Sequence, residues 1–274
     1  MRAVAVLHRA IFMHDLPLNQ AVGLLGLAAP EAAQLLAVVA HGDERSEQPL
    51  LWQLSSALTE LGYDVTVLDA TQSESEQNPG LQQLLDYQFG QGLPQSDGPA
   101  WNVLACANGL RSLCAAGTKP AHSLQRLGEA LQSHGVVLLY ADVDCLVQLL
   151  SDTELSPLLS VSSQKSSLLS CYLALKRLLR KARLEPTILN MMHGAAQGGG
   201  AGAASIVHAL SECARNFLAF EVNAIRIDPS QSESQIDAHM RHLAARLLEN
   251  ALTLNSSSGT GFDASGLREM SRSH

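Results

Sequence analysis

The chain has 274 residues, 46% of them hydrophobic and 16% charged, a balance that excludes a disordered chain and a coiled coil. Aromatic residues make up 4%, so the core has to be aliphatic, and a net charge of −8 argues against nonspecific nucleic-acid binding by the whole surface. The five cysteines are scattered and contain no C-x-x-C pair, so they read as buried thiols of a reducing cytoplasm rather than a disulfide framework or a zinc site.

In chain order, residues 1–30 read as a leader with helical stretches, closed by Pro30. Its apolar start lacks a small-residue cleavage site, so no signal peptide is expected. Residues 31–254 read as one α/β domain and 255–274 as a mobile Ser/Gly-rich tail. No run of eighteen apolar residues occurs, so no spanning helix is expected. The run Leu35 to Ala40 has the continuous apolar character of a strand buried on both faces. A loop is expected over His41 to Gln48. A helix follows over 49–62, with Leu50, Leu54, Leu58 and Leu61 in one stripe and Gly62 as its stop. Asp64 to Asp69 completes a βαβ unit, which predicts a parallel sheet.

Residues 71–100 read as a surface excursion with one short helix near Leu81 to Tyr87. Further strands are expected at Trp101–Cys106, Val136–Tyr140, Leu158–Val161, Pro186–Asn190 and Glu221–Ile227. Helices are expected over 120–133, from Leu146, and over 166–183, 204–218 and 234–252. The glycine-rich stretch Gly194 to Gly202 lacks a lysine and reads as a mobile loop. The basic group Arg177, Arg180, Lys181 and Arg183 suits a solvated helix end. His239 and His242 share a helix, but no third metal ligand accompanies them. Strands alternating with helices over this length predict a doubly wound, mostly parallel α/β sheet.

Residues 36–71 resemble the opening of MinD/ParA-type ATPases, and within them the flagellar-number regulators of the FlhG (FleN) group. The family reads roughly I-A-V-x-S-G-K-G-G-V-G-K-T-T, a helix, then G-Y-x-V-x-L-x-D-A-D. Here Leu36-Ala37-Val38-Val39-Ala40-His41-Gly42-Asp43-Glu44-Arg45-Ser46-Glu47-Gln48-Pro49 leads without a gap to Gly62-Tyr63-Asp64-Val65 and Leu68-Asp69-Ala70-Thr71. On this resemblance Gly42 stands at the signature lysine. Asp43, Glu44 and Ser46 replace glycines, and Glu47 reverses the charge of the phosphate-pairing lysine. Gln48 replaces the magnesium-binding hydroxyl, and Thr71 stands at the water-positioning aspartate. A phosphate cradle needs backbone N–H groups and a cation. The acidic replacements therefore predict no ATP hydrolysis and make ATP and magnesium binding doubtful.

The resemblance runs on over residues 17–252. Asp142 falls at the family's second magnesium-linked aspartate. Tyr172 and Lys176 match a helix after Val161, and Asn190 matches an adenine-contacting asparagine. Asp69, Asp142 and Asn190 are thus residual nucleotide-site positions. In the leader, Asn19-Gln20-Ala21-Val22-Gly23-Leu24-Leu25-Gly26-Leu27 resembles the D-Q-A-x-G-L-R-x-L motif of the FlhG group. It keeps Gln20, Ala21, Gly23, Leu24 and Leu27. In that family the segment docks on the GTPase FlhF, where its glutamine helps orient the attacking water. The alternative is an amphipathic leader that packs on its own domain.

The resemblance implies a P-loop NTPase fold of the MinD/ParA type. It implies a bacterial, cytoplasmic pseudo-ATPase acting as a binding and regulatory factor in flagellar assembly or number control. FlhF and flagellar switch proteins are the expected partners. Nucleic acid is not expected, no cofactor or metal is assigned, and membrane association is expected to be weak or through partners. Two alternatives stand beside it: an unconventional MinD/ParA-type ATPase, and a regulator in another MinD-like pathway such as cellulose synthesis or division-site placement.

Overall fold

The computed structural model describes residues 32–86, 101–115, 117–132, 134–162, 164–191, 200–227 and 232–254. The leader motif Gln20 to Leu27, most of the glycine-rich stretch and the tail after Leu254 lie outside them. The described strands are β1 (Ala33–Ala40), β2 (Val65–Asp69), β3 (Trp101–Ala105), β4 (Val136–Asp142), β5 (Leu158–Val161), β6 (Thr187–Met191), β7 (Ala224–Ile227) and β8 (Leu252–Leu254). The helices are α1 (Glu44–Glu60), α2 (Leu81–Asp86), α3 (Ala107–Leu113), α4 (Pro120–Ala130), α5 (Val143–Leu150), α6 (Lys165–Arg177), α7 (Gly200–Leu218) and α8 (Glu233–Glu249). The sheet runs β3-β2-β4-β1-β5-β6-β7, parallel throughout, with β8 antiparallel beside the start of β1. The expected doubly wound α/β sheet is therefore the observed one.

β1 shows why the central strands read as unbroken apolar runs. Ala33, Leu35, Ala37 and Val39 pack into the layer on one face, and Leu36 and Val38 into the layer on the other. β4 alternates in the same way, with Val137, Leu139 and Ala141 opposite Val136, Leu138 and Tyr140. One face is covered by α1 through Leu50, Leu54 and Leu58, and by α8 through Met240, Leu243 and Leu247. Each of the three α1 leucines is fully buried, which contributes about 1.5–3 kcal/mol apiece. Helices α2 to α7 cover the other face.

Several boundaries differ from the sequence expectations. The helix expected from residue 49 begins at Glu44, so Glu44 to Gln48 are its first turns and Pro49 lies inside it. These residues are polar because they form the site described below, and polarity without periodicity reads as loop. α3 was not expected at all. Its N–H groups at Asn108 and Gly109 are held by the Glu74 carboxylate at 2.7 and 2.8 Å, a contact from 34 and 35 residues away. The helix expected to end at 183 leaves the α conformation at Arg177 and closes through a wider turn, Leu178–Ala182, with Arg183 left-handed at φ 56°. The helix expected over 234–252 stops at Glu249, and β8 follows by pairing with Ala33 to Leu35. β7 is shorter than expected, and α7 already begins at Gly200.

Candidate functional site: a carboxylate in the β1–α1 loop

The loop after β1 leads to α1 on one face, and the loop after β4 leads to α5 on the opposite face. β1 and β4 are neighbours, so their connections part at this point, the place where open α/β sheets take ligands. His41, Gly42 and Asp43 follow β1, Asp142 ends β4, Asp69 ends β2, and Ser162 follows β5. Gly42 turns the loop with φ 88°, a conformation that glycine adopts without a Cβ penalty.

Glu47 is the centre of the site, and its side chain is fully buried. Its Oε1 accepts the backbone N–H of His41 at 3.0 Å and that of Asp43 at 2.8 Å. Its other oxygen accepts the hydroxyl of Tyr140 from β4. Burial, and then the neighbouring Glu47 carboxylate, raise the Tyr140 phenol above its ordinary value, so it remains a hydrogen donor. A carboxylate in the first turns of a helix also suits the helix dipole. The loop N–H groups of residues 41 and 43 are thus turned onto an acid supplied by the chain itself.

His41 ties this acid to β5 and α6. Its Nε2 lies 2.8 Å from the carbonyl of Ser160 and 3.4 Å from Glu47 Oε1. A carbonyl only accepts, so Nε2 carries a hydrogen. Nδ1 meets the Ser170 hydroxyl at 3.0 Å. That hydroxyl also lies 3.2 Å from the carbonyls of Ser166 and Ser167 in its own helix. Ser170 therefore serves the helix and the imidazole together.

Asp43 stands at the N-cap position of α1, where its backbone carbonyl accepts the Ser46 and Glu47 N–H groups, and its carboxylate sits in a nest of hydroxyls rather than on the helix end. Ser46 Oγ lies 2.9 Å from Asp43 Oδ2 and 2.9 Å from Ser160 Oγ. Burial pushes the Asp43 carboxyl up. The hydroxyls of Ser167, Ser162 and Ser46, with the charge of His41, outweigh it and hold the group below its usual range.

The other positions singled out in the sequence are placed as follows. Glu44, Arg45 and Gln48 are exposed on the first turns of α1. Asp69 uses Oδ1 on the Thr71 N–H and hydroxyl at 2.9 and 2.6 Å, and Oδ2 on Gln72 Nε2 at 2.8 Å. Asp142 caps α5, accepting the N–H groups of Asp144 and Cys145 at 2.9 Å each. Asn190 is buried on β6, and its Nδ2 has no hydrogen-bond partner among the described residues. The structure brings Asp43, Ser46 and Glu47 into one network. Asp69 and Asp142 lie at the same sheet edge but serve local turns. The sequence reading missed His41, Tyr140, Ser160, Ser162, Ser167 and Ser170. A single phenol in the apolar run Val136 to Tyr140 was the one available signal.

A triphosphate does not fit these residues as they stand. Two loop N–H groups that a phosphate would need already serve Glu47, and Asp43 adds a second buried acid beside them. The carboxylates among the residual nucleotide-site positions, Asp69 and Asp142, are likewise engaged in turn and cap.

No family model and no curated protein matches the chain. Among solved structures, the chain is similar to cobyrinic acid a,c-diamide synthase from Mycobacterium smegmatis, solved with bound ADP and magnesium. The TM-score is 0.55 at 13% identity, covering 81% of this chain and 99% of that one. It is similar to a plasmid partition protein from Borrelia burgdorferi, with TM-score 0.52, 7% identity, and 80% and 99% coverage. A chain of a MinC:MinD cell division protein complex from Aquifex aeolicus matches at 0.47 with 12% identity, covering 81% of this chain and 98% of that one. The two likenesses with TM-scores above 0.5, to the synthase and the partition protein, show the fold alone: a doubly wound, mostly parallel α/β sheet. Among the described residues, no helix is long and apolar enough to cross a membrane.

Proposed function

We propose that this chain is a catalytically silent, FlhG-like protein of the MinD/ParA type. In this reading it acts as a binding and regulatory factor in bacterial flagellar assembly or number control, not as an ATPase. The observation that carries the silent part is the buried Glu47 carboxylate on the N–H groups of His41 and Asp43. A phosphate brought to that position meets like charge, which costs about 4 kcal/mol per pair at 4 Å in a partly shielded site. Arg45, the nearby cation on the first turn of α1, is exposed and does not offset it. The flagellar part rests on the resemblance of the leader around Gln20, with FlhF and switch proteins as the proposed partners.

Two measurements test this reading. Purified chain with ATP and magnesium is expected to release no phosphate above background; turnover that Asp142→Ala abolishes would overturn the silent assignment. Added to FlhF, the chain is expected to raise GTP hydrolysis, and Gln20→Ala to lose the effect. No capture and no stimulation would move the protein to another MinD-like pathway. One observation favours the second reading, an unconventional nucleotide binder: the buried Asn190 Nδ2, which has no hydrogen-bond partner among the described residues. ATP binding that Asn190→Ala removes would place that reading first.

A further inference from the structure

The face of the sheet covered by α1 and α8 is left partly open at its β3 end. Trp101 opens β3, and Val103, two residues on, points to the same face and is 55% exposed. Trp52 projects from α1 beside them and is 61% exposed, with its ring 4.8 Å from that of Trp101 in an edge-to-face contact. Two indoles and a β-branched side chain form one apolar patch. Exposed apolar side chains gathered around a half-buried indole mark an interaction surface rather than ordinary surface scatter.

The chain carries its own candidate occupant. Residues 16–29 contain Leu16, Leu18, Val22, Leu24, Leu25 and Leu27 and no charged residue. This segment ends just before β1. The strand register puts Gln34 level with Val136, Val136 level with Val65, and Val65 level with Trp101. The patch therefore lies three strand spacings, about 14 Å, from the point where the leader joins the sheet. The three residues between the leader and β1 reach at most about 10 Å, and the leader itself covers the rest of the distance. A tether this short gives the leader a millimolar effective concentration at the patch.

We propose that the apolar leader, residues 16–29, docks on the Trp52–Trp101–Val103 patch of its own domain. Docking buries both apolar surfaces at once, and it places the leader where it has to be released before it can engage another protein. The placement does not depend on what binds at the β1–α1 loop.

The chain contains two tryptophans, and both are in the patch. Their emission therefore reports on it without a label. The parent is compared with a chain lacking residues 1–31 and with the full-length double variant Leu24→Asp, Leu27→Asp. Both variants are expected to emit to the red of the parent. Acrylamide quenching is expected to rise at least about twofold, as Trp52 passes from covered to open. A peptide of residues 1–31 added to the truncated chain is expected to restore the blue emission. Equal emission and quenching in all three proteins would overturn the proposal. So would blue emission in the truncated chain that fades on dilution, which would assign the patch to a second copy. Far-UV circular dichroism separates either result from unfolding, and the full-length variant keeps the test open if the truncated chain does not fold.

Discussion

Replacing Glu47 by alanine removes the acceptor of three buried donors: the N–H groups of His41 and Asp43 and the hydroxyl of Tyr140. An unsatisfied buried donor costs about 1–3 kcal/mol. Part of this is offset, because the variant no longer holds a carboxylate out of water. A net loss of about 3 kcal/mol is expected, which lowers the melting temperature of a chain this size by about 6–12 °C. Glu47→Gln keeps the shape. Its amide oxygen accepts the two N–H groups and its amide nitrogen faces the tyrosine oxygen, so a smaller loss of about 1 kcal/mol is expected. Urea unfolding of the three proteins, with equal slopes, is the assay. Millimolar sulfate is expected to restore part of the loss in the alanine variant and to leave the parent unchanged, because only the variant has open N–H groups. An alanine variant within about 0.5 kcal/mol of the parent would refute the reasoning, since that is the range of an ordinary surface substitution.

Asp43 has a folded pKa below its ordinary 3.8, so its contribution is complete above that value and is lost as pH falls through the folded value. Unfolding midpoints at pH 6 and pH 3 are expected to differ less in Asp43→Asn than in the parent; an equal difference would show that the hydroxyl nest does not favour the charged form. Leu50→Ala, which opens a cavity beneath α1, is expected to lose about 2–5 kcal/mol. Arg241→Ala, which breaks the exposed 2.8 Å pair with Glu60, is expected to lose less than about 1 kcal/mol. Comparable losses would contradict the view that α1 is held by burial. The thiols of Cys106 and Cys171 are raised, chiefly by burial, and are expected to resist alkylation at neutral pH until the chain is unfolded. Modification mapped by mass spectrometry checks this, and rapid native labelling of either residue would refute it.

The elements that were legible are those whose burial is repetitive. β1, β2 and β4 are covered on both faces and so read as apolar runs, and the leucine stripe of α1 could be traced from Leu50 onward. What was not legible depends on distant partners. α3 contains Asn108, Gly109, Arg111 and Ser112, and its N-terminus is held by Glu74 from outside the helix. β8 has three residues, and its identity as a strand lies in its pairing with Ala33 to Leu35. At the site, the sequence located Glu47 as a charge reversal within a phosphate-loop-like stretch. Its meaning lies in Tyr140, 93 residues away, and in His41, which reaches Ser160 and Ser170 at separations of 119 and 129. No local pattern carries such distances.

The central claim is that an internal carboxylate holds the loop N–H groups that a bound phosphate would need, and nucleotide binding tests it most directly. Calorimetric titration of the chain at about 100 µM with ATP and with ADP, each with magnesium, detects affinities from millimolar to micromolar. The account predicts no binding heat for either nucleotide. Micromolar binding of ATP by the unmodified chain would contradict it, because Glu47 would then have to leave the N–H groups of His41 and Asp43 to admit the phosphate.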